Sequence, residues 1–303
     1  MQDIALLAID WGTSSCRAYA LDRHGGIAAK RSAPLGVQRV ADGEFAQALS
    51  NLCAGIVTAR VPMIACGMVG SRQGWVEVPY CVCPADFAAI AAGLTPVPGT
   101  ALAIVPGLIC RDDDGIADVM RGEETQILGA LAEEAMAPQA VLLPGTHSKW
   151  AIVGRGGIEA FSTFMTGELY ALLMDHGILG RLALPGEDDA ALERGVRHSL
   201  RGGAALTHDL FSARTLALID VLAPSSVGDY LSGLLLGAEI VAAQRWLRRL
   251  QSAPLPLTLI GAPALVGRYR RALAIAGIEA DVGAGDAAAR GLWRIARHAG
   301  LLQ

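Results

Sequence analysis

Lysine is almost absent from this chain of 303 residues: only Lys30 and Lys149 occur, and the other basic residues are arginines. A phosphate-binding P-loop needs a Gly-Lys-Ser or Gly-Lys-Thr step, whereas Lys30 follows an alanine and Lys149 follows a serine. The Gly-x-Ser-x-Gly step of a nucleophile elbow and the His-Arg-Asp step of protein kinases are also missing. These absences exclude three common kinds of catalytic site.

Long apolar runs and long basic runs are lacking too. Hydrophobic residues make up 52% of the chain, but no run approaches 18 apolar residues, so we expect no membrane span. The start, MQDIALLAID, is too short and too acidic for a signal peptide. The net charge of −4 predicts no nucleic-acid partner, because a phosphate backbone requires a clustered basic surface. We therefore expect a cytoplasmic globular protein.

The six cysteines show no CxxC spacing. Cys81 and Cys83 share one face of a predicted strand, but zinc would require two further ligands. Buried free thiols in a reducing compartment are the simpler interpretation.

A pattern of strands and glycine-rich turns occurs twice. The predicted strands cover residues 4–10, 16–21 and 27–33, and again 140–143, 150–153 and 158–164. The pair Gly12 and Thr13 precedes the pair Gly145 and Thr146 by 133 positions. This near-constant offset predicts an internal duplication.

Helices are predicted between and after these repeats. They cover residues 43–60, 121–135, 168–175, 190–197, 207–222, 226–250, 266–276 and 286–299, with further strands at 61–66 and 257–260. The pattern predicts an α/β protein with two domains, 1–139 and 140–303, and a cleft between them.

The two Gly-Thr turns are predicted to bind anions. A tight turn of Gly, Thr and Ser directs several backbone amides and hydroxyls toward one point, without needing a lysine. Two such turns facing one another would hold a polyphosphate from both sides. Asp10 ends the first strand, where its carboxylate either initiates the turn or holds Mg²⁺ through water.

Two acids, Glu123 and Glu124, open the helix predicted from residue 121. Acids in a first helical turn interact favourably with the helix dipole, which is the structural interpretation. A kinase also needs a carboxylate that orients the attacking hydroxyl and accepts its proton. We expect one of the two to be that base, and Glu123 is favoured.

Five segments resemble the motifs of the actin/hexokinase/Hsp70 superfamily: IDWGTSSCRAYALD, GEETQILGA, LLPGTHSKWAIV, LTLIGAP and AGDAAARGLWRIA. They resemble its first phosphate motif, first connecting helix, second phosphate motif, adenosine motif and second connecting helix. GMVGSRQGW, MRGEETQILG, PGTHSKW and FMTGELYALL resemble the 2-dehydro-3-deoxygalactonokinase family. The resemblance covers essentially the whole chain and implies two RNase H-like domains.

The resemblance implies transfer of the γ-phosphoryl group of ATP to the terminal hydroxyl of 2-dehydro-3-deoxy-galactonate, giving the 6-phosphate. It implies that magnesium and phosphates contact Asp10, Gly12, Thr13 and Ser14. The facing phosphate turn would comprise Gly145, Thr146, His147 and Ser148, and Gly261 and Ala262 would flank the nucleoside. Two departures stand out: many relatives have glycine where this chain has Ala262, and many sugar kinases use aspartate where we propose Glu123.

A polar loop is expected to bind the sugar acid, because a carboxylate and hydroxyls require charged and bidentate partners. The candidates are Ser71, Arg72, Gln73 and Trp75, with Thr166 and Glu168 on the other side. Trp75 also fits a hydrophobic anchor, and Glu168 an early helix acid. Arg17 and Lys149 either meet the transferred phosphate or carry surface charge, and His147 also fits a hydrogen-bonded turn residue.

Two other functions remain open at this point. An exopolyphosphatase-type enzyme would hydrolyse polyphosphate without a sugar. A non-enzymatic ATP-dependent switch of the actin or Hsp70 kind would need partner-binding segments, and no such appended module is obvious. The sequence leaves the oligomeric state open, a homodimer included.

Overall fold

A computed structural model of the chain describes residues 3–41, 43–56, 61–131, 137–154, 156–202 and 205–302. The strands are β1 (Ile4–Trp11), β2 (Cys16–Asp22), β3 (Ile27–Ala33), β4 (Met63–Cys66), β5 (Cys81–Val82), β6 (Ala85–Asp86), β7 (Thr95–Pro96), β8 (Leu102–Ile104), β9 (Leu108–Arg111), β10 (Ala117–Met120), β11 (Gln139–Leu143), β12 (Ser148–Gly154), β13 (Gly157–Phe164), β14 (Leu257–Leu259) and β15 (Asp281–Val282). The helices are α1 (Phe45–Cys53), α2 (Phe87–Ala92), α3 (Glu123–Ala130), α4 (Thr166–Asp175), α5 (Asp189–Leu200), α6 (Leu206–Leu218), α7 (Val227–Leu250), α8 (Pro263–Ile275) and α9 (Ala287–His298).

The strands of both predicted repeats are confirmed, and β3 has the predicted limits. The predicted end of α6 at residue 222 is wrong, because the helix stops at Leu218 and Asp220 adopts a left-handed φ of 59°. The three-stranded sheet β10-β9-β5 was not predicted. Residues 57–60 and 132–135 of two predicted helices, and Arg155 of a predicted turn, lie outside the described residues.

Two six-stranded sheets share the order of five strands. The first runs β3-β2-β1-β4-β8 and continues to β7, and the other runs β13-β12-β11-β14-β15, with β6 at the opposite edge, beside β13. In each, the first strand of the repeat lies parallel to a later strand, β1 beside β4 and β11 beside β14. Equivalent strands therefore occupy equivalent positions, as an internal duplication requires.

The chain divides into two compact units. Unit 1 comprises Met1–Pro138, Ile152–Phe161 and Gly283–Gln303, and unit 2 comprises Gln139–Ala151 and Ser162–Val282. This grouping differs from the predicted division at 139/140, because α9 packs against α3 of unit 1 although it is the last helix of the chain.

The core of unit 1 fixes the end of β1. Helix α1 buries Phe45, Leu49 and Leu52 on one face, as expected for a 3.6-residue period. Phe45 meets the buried Trp11 edge-on, with ring centroids 5.5 Å apart. Trp11 also donates a hydrogen bond from Nε1 to the carbonyl oxygen of Leu35 at 2.8 Å. These contacts hold Trp11 in place, and the turn that follows it therefore begins at a fixed point of the core.

Helix α7 forms the core of unit 2. Among the described residues, the segment Pro224–Leu250 is the one helix long and apolar enough to cross a membrane, by length and composition only. However, 72% of its most apolar window is buried inside the protein, where it packs mainly on α5. A core helix of a globular protein passes the same test, so the segment is weak evidence for a membrane span.

Candidate active site

The turn between β1 and β2 presents two hydroxyl side chains. The amide of Gly12 donates to the carbonyl oxygen of Ser15 at 2.9 Å, which closes the turn. Thr13 and Ser14 lie exposed at its tip. The amide of Val37 donates to the carbonyl oxygen of Gly12 at 3.1 Å and holds the turn from the following segment.

Asp10 and Arg17 form an ion pair across β1 and β2. They are register partners in the antiparallel ladder, and Nη1 of Arg17 lies 3.0 Å from Oδ2 of Asp10. The Asp10 side chain is only 12% exposed, whereas that of Arg17 is 49% exposed. Burial raises the pKa of Asp10, and the Arg17 guanidinium opposes this shift. The pair therefore keeps a largely buried carboxylate next to an accessible cation.

Two glycines bring the start of α3 against the end of β1. Gly67 follows β4 with a φ of +93°, and a Cβ at this position would lie 2.7 Å from the carbonyl oxygen of Trp11. Gly122 precedes α3 with a φ of +106°, and its Cβ would lie 3.1 Å from the Cα of Gly67. A side chain at Gly67 would clash with Trp11, and one at Gly122 would crowd Gly67. L-residues also rarely adopt these backbone angles.

The two acids of α3 occupy different environments. Glu124 is fully buried and accepts hydrogen bonds from the amide of Gly122 at 2.5 Å and from Oγ1 of Thr125 at 2.8 Å. Burial, and secondarily the charge of Glu123, raises the pKa of Glu124 to about 7. Glu123 is half-buried, and its Oε2 accepts from the amide of Arg121 at 3.0 Å. Glu123 is thus the more accessible carboxylate.

The end of β4 lies next to both Asp10 and the start of α3, where Gly67 packs on Gly122. Cys66 is the register partner of Asp10 in the parallel β1–β4 ladder. Burial raises the pKa of its thiol most strongly, and the negative charges of Asp10, Glu124 and Glu123 raise it further. Unit 1 therefore places the predicted metal ligand, and the helix start that carries both predicted bases, next to the end of β4.

The loop predicted to bind the sugar acid, residues 71–75, comes a few residues after the end of β4. Arg72 is 86% exposed, its Nε lies 3.4 Å from Oε1 of Glu77, and Gln73 is exposed beside it. The hydroxyl of Ser71 donates to the carbonyl oxygen of Met68 at 2.7 Å.

Trp75 has core contacts. Its ring stacks on Phe45, with centroids 6.0 Å apart, and meets Trp11 edge-on at 6.5 Å. Of the two interpretations of Trp75, a substrate contact or a hydrophobic anchor, these contacts favour the hydrophobic anchor.

The second predicted phosphate turn joins β11 to β12 in unit 2. Thr146 and His147 are exposed at this turn. The amide of Glu168 donates to the carbonyl oxygen of Thr146 at 3.0 Å, and the carboxylate of Glu168 hydrogen bonds to Nε2 of His147. A Cβ at Gly167 would lie 2.5 Å from the carbonyl oxygen of Gly145. The first turn of α4 is therefore packed directly against this loop.

Ser148 and Lys149, by contrast, begin the buried strand β12. The hydroxyl of Ser148 lies 2.6 Å from the hydroxyl of Tyr269 on α8. Nζ of Lys149 donates to Oγ1 of Thr163 on β13 at 2.9 Å. Both polar groups are directed into the unit, so a contact with phosphate by either one stays a prediction.

The segment predicted to flank the nucleoside follows β14 and is exposed at both Gly261 and Ala262. A Cβ at Gly261 would make ordinary contacts, 3.6 Å from the carbonyl oxygen of Pro144. Ala262 is the N-cap of α8 and precedes Pro263. The segment therefore lies beside the start of the second phosphate turn.

A cavity of about 290 Å³ opens next to Gly145 within unit 2. Thr166, Tyr170, Arg268 and Tyr269 line it together with leucines of α7. The guanidinium of Arg268 also forms an ion pair with Asp229, at 2.7 Å. The cavity combines apolar walls with a few polar groups, which is typical of small-molecule sites.

Sequence comparisons identify proteins that this chain resembles. A family model described as 2-keto-3-deoxy-galactonokinase matches residues 10–295. A probable 2-dehydro-3-deoxygalactonokinase from Rhizobium meliloti (strain 1021) is 38% identical over 301 residues, covering 94% of this chain and 97% of the relative. The 2-dehydro-3-deoxygalactonokinase of Escherichia coli (strain K12) is 35% identical over 295 residues, covering 97% of both chains.

Solved structures show the same relationship. A crystal structure from Sinorhizobium meliloti that carries the 2-dehydro-3-deoxygalactonokinase name is 37% identical, with a TM-score of 0.88, and the match covers 96% of this chain and 98% of that one. The activator of 2-hydroxyisocaproyl-CoA dehydratase from Clostridium difficile, solved with ADPNP, matches with a TM-score of 0.51 at 11% identity, covering 97% and 93%. That distant likeness concerns the fold alone, which is the α/β fold of actin/hexokinase-like ATPases. The chain belongs to the 2-keto-3-deoxy-galactonokinase family and is a sugar-acid kinase.

Proposed function

We propose that this kinase uses ATP and Mg²⁺ to phosphorylate the terminal hydroxyl of 2-dehydro-3-deoxy-galactonate, giving the 6-phosphate. The observation that carries the proposal is that the end of β4 adjoins both Asp10 and the helix start that carries Glu123 and Glu124, because Cys66 pairs with Asp10 and Gly67 packs on Gly122. Phosphoryl transfer to an alcohol needs a metal ligand and a proton acceptor within one site, and these residue types supply both.

Asp10 is the proposed magnesium ligand. Among the described residues, no three His, Cys, Asp or Glu side chains gather as a metal cluster. A single, largely buried carboxylate nevertheless fits Mg²⁺, which usually binds one or two carboxylates together with phosphates and water. When bound, the ion would neutralise charge on the phosphates. Arg17, paired with Asp10 and half exposed, is proposed to attract the same phosphates.

Each glycine-containing turn is proposed to bind phosphate oxygens in its own unit. In unit 1 the hydrogen-bond donors would be Gly12, Thr13 and Ser14; in unit 2 they would be Gly145, Thr146, His147 and Ser148, with Lys149 adding positive charge. The nucleoside would enter the cavity beside Gly145, with Gly261 and Ala262 near the preceding Pro144. Each charge-assisted hydrogen bond would contribute roughly 1.5–3 kcal/mol.

Glu123 is the proposed base, because its carboxylate is the more accessible of the two. It would accept the proton of the 6-hydroxyl while that oxygen forms a bond to the γ-phosphorus and the bond from this phosphorus to the β–γ bridging oxygen breaks. The products are the sugar-acid 6-phosphate, ADP and a proton. Glu124, buried and hydrogen bonded at the helix start, is proposed to support the conformation of that turn.

The sugar acid is proposed to bind at Ser71, Arg72 and Gln73, with Trp75 supporting the loop from the core. Arg72 is highly exposed and therefore accessible to the substrate carboxylate. Thr166 and Glu168 remain candidates for hydroxyl contacts. We also propose that the enzyme acts in the cytoplasm without membrane or nucleic-acid partners, and a homodimer stays an open prediction.

A coupled ADP-release assay over a panel of ketodeoxy and aldonic acids tests the proposal. We expect ADP formation that depends on Mg²⁺ and on 2-dehydro-3-deoxy-galactonate, with little release when no acid is present. Phosphate release from polyphosphate without a sugar acid would instead indicate an exopolyphosphatase. ATP binding without turnover on any acid would indicate a nucleotide-dependent switch.

A further inference from the structure

A carboxylate is buried in the middle of the apolar helix α7. Glu239 is only 3% exposed, and no sequence motif described above includes it. Its Oε1 accepts a hydrogen bond from Nε1 of Trp150 at 2.8 Å, and its Oε2 accepts one from the hydroxyl of Tyr269 at 2.8 Å. The side chains of Thr166 and Ser148 also hydrogen bond to it. A group this costly to bury is retained only where its partners are well placed.

The partners of Glu239 come from the elements that surround the second phosphate turn. Ser148 and Trp150 belong to β12, which begins where that turn ends. Thr166 starts α4, and Tyr269 lies on α8. Ser148 and Tyr269 also hydrogen bond to each other, at 2.6 Å. One side chain thus joins three separate elements to α7.

The same partners contact the proposed nucleotide site. Thr166 and Tyr269 line the cavity beside Gly145. Ser148 directly follows His147 in the chain, and Thr166 directly precedes Gly167, which packs on the carbonyl oxygen of Gly145. Movement of the Glu239 carboxylate would therefore be transmitted to both ends of the turn and to one wall of the cavity.

We propose that Glu239 is a positioning residue for nucleotide binding, whose carboxylate fixes the turn at residues 145–147 relative to the cavity wall. This inference rests on the proposed function, because it assigns the nucleotide to that turn and cavity. Glu239 itself does not line the cavity, so it would act through its partners. Its larger effect is expected on the nucleotide, since its hydrogen-bond partners all lie in unit 2, whereas Ser71, Arg72 and Gln73 of the proposed sugar-acid loop lie in unit 1.

Glu239→Gln tests the proposal, because glutamine keeps the volume but replaces one acceptor atom by a donor. We expect the dissociation constant for ADP, measured by calorimetry, and KM for ATP to rise on the order of tenfold. KM for the sugar acid should stay within about twofold of the wild-type value. Glu279→Gln, an exposed site in the same unit, is the matched control and should change none of these constants.

Tyr269→Phe supplies a second measurement that does not depend on the folding of the first variant. It removes the hydroxyl that links Ser148 to Glu239 and should weaken ADP binding in the same direction. The double variant should weaken it by less than the product of the two single effects, because the two residues act through one network.

Unchanged ADP affinity in a folded Glu239→Gln protein, or in Tyr269→Phe if the first variant does not fold, would overturn the positioning role. So would equal increases of both KM values, or a lowered melting temperature with unchanged ADP binding, since these results indicate a purely structural role. Failure of the wild-type protein to bind ADP would overturn the proposed function together with this inference.

Discussion

Gly129 of α3 packs directly on the backbone of Ala287 in α9: a Cβ built on Gly129 would lie 1.8 Å from the carbonyl oxygen of Ala287. Gly291 makes a matching approach, since its Cβ would lie 1.9 Å from the carbonyl oxygen of Thr125. The two helices thus cross with their backbones in contact. This crossing anchors the helix that carries Glu123 and Glu124.

Gly129→Ala should therefore destabilise unit 1. Alanine is the better helix former, but the methyl group has no room, and overpacking of this kind costs about 1–3 kcal/mol. We expect a lower melting temperature by scanning fluorimetry. Gly267→Ala in α8 is the control, because no atom lies within 4 Å of its Cβ, and it should raise stability by up to about 1 kcal/mol. Equal stability of the two variants would argue against the close helix contact.

Glu123→Gln should remove the proposed base. We expect kcat to fall by roughly 10²–10⁴ while the dissociation constant for ADP is retained, because proton transfer is lost and nucleotide contacts are not. Steady-state kinetics with calorimetry checks both quantities, and Glu279→Gln again serves as the control. Normal turnover would remove Glu123 from the mechanism and direct attention to Glu124.

Asp10→Asn should abolish magnesium-dependent transfer. A bound metal ion contributes several kcal/mol to phosphoryl transfer, so we expect kcat/KM to fall by about a thousandfold or more. The affinity for ATP should also lose its dependence on Mg²⁺ concentration, which calorimetry measures without turnover. Asp3→Asn, at an exposed ion pair with Arg23, should behave as the wild type. A retained magnesium dependence of ATP binding would contradict the assignment of Asp10.

The raised pKa of Glu124 predicts that the unfolding free energy depends on pH. Burial holds its folded-state pKa at about 7, above the ordinary value of 4.5, so the folded protein retains this proton at pH values where the unfolded chain loses it. The stability linked to this group is fully present below pH 4.5 and is lost as the pH rises through about 7.

Urea unfolding at pH 5 and pH 8 measures that loss. Relative to Glu124→Gln, which carries no titrating group at this position, the wild type should lose on the order of 2–3 kcal/mol of unfolding free energy between the two pH values. An identical pH dependence of the two proteins would show that Glu124 titrates normally.

Arg72→Ala should raise KM for the sugar acid by roughly tenfold, because a charge-assisted hydrogen bond to its carboxylate would be lost. KM for ATP should not change. Arg111→Ala, at another exposed arginine of unit 1, is the control. An unaffected KM for the sugar acid would place the carboxylate site elsewhere.

Local sequence patterns predicted much of the fold. The strands β1 to β3 and β11 to β13 are bounded by glycine-rich turns, and turn residues of this kind mark strand ends reliably. The packing of α9 on unit 1 was not predictable in this way. Chain order does not reveal which distant helix meets Ala287, and only the structure shows that Gly129 is its partner.

The site was predictable only in part, for the same reason. Asp10 and Glu123 stand at the ends of elements, where the sequence marks them. Glu239 lies within an apolar helix, and its partner Trp150 is 89 positions away, so no local pattern signals the pair. Ser148 and Lys149 follow the turn in sequence, but their side chains point to opposite faces of β12, and both faces are buried.

Determination of the reaction product by phosphorus–proton correlation NMR tests the central claim most directly. After incubation of the protein with ATP, Mg²⁺ and 2-dehydro-3-deoxy-galactonate, we predict one new phosphate ester whose phosphorus couples to the protons on C6, formed in equal amount with ADP. Inorganic phosphate as the only new phosphorus species, or an ester at another carbon, would contradict it.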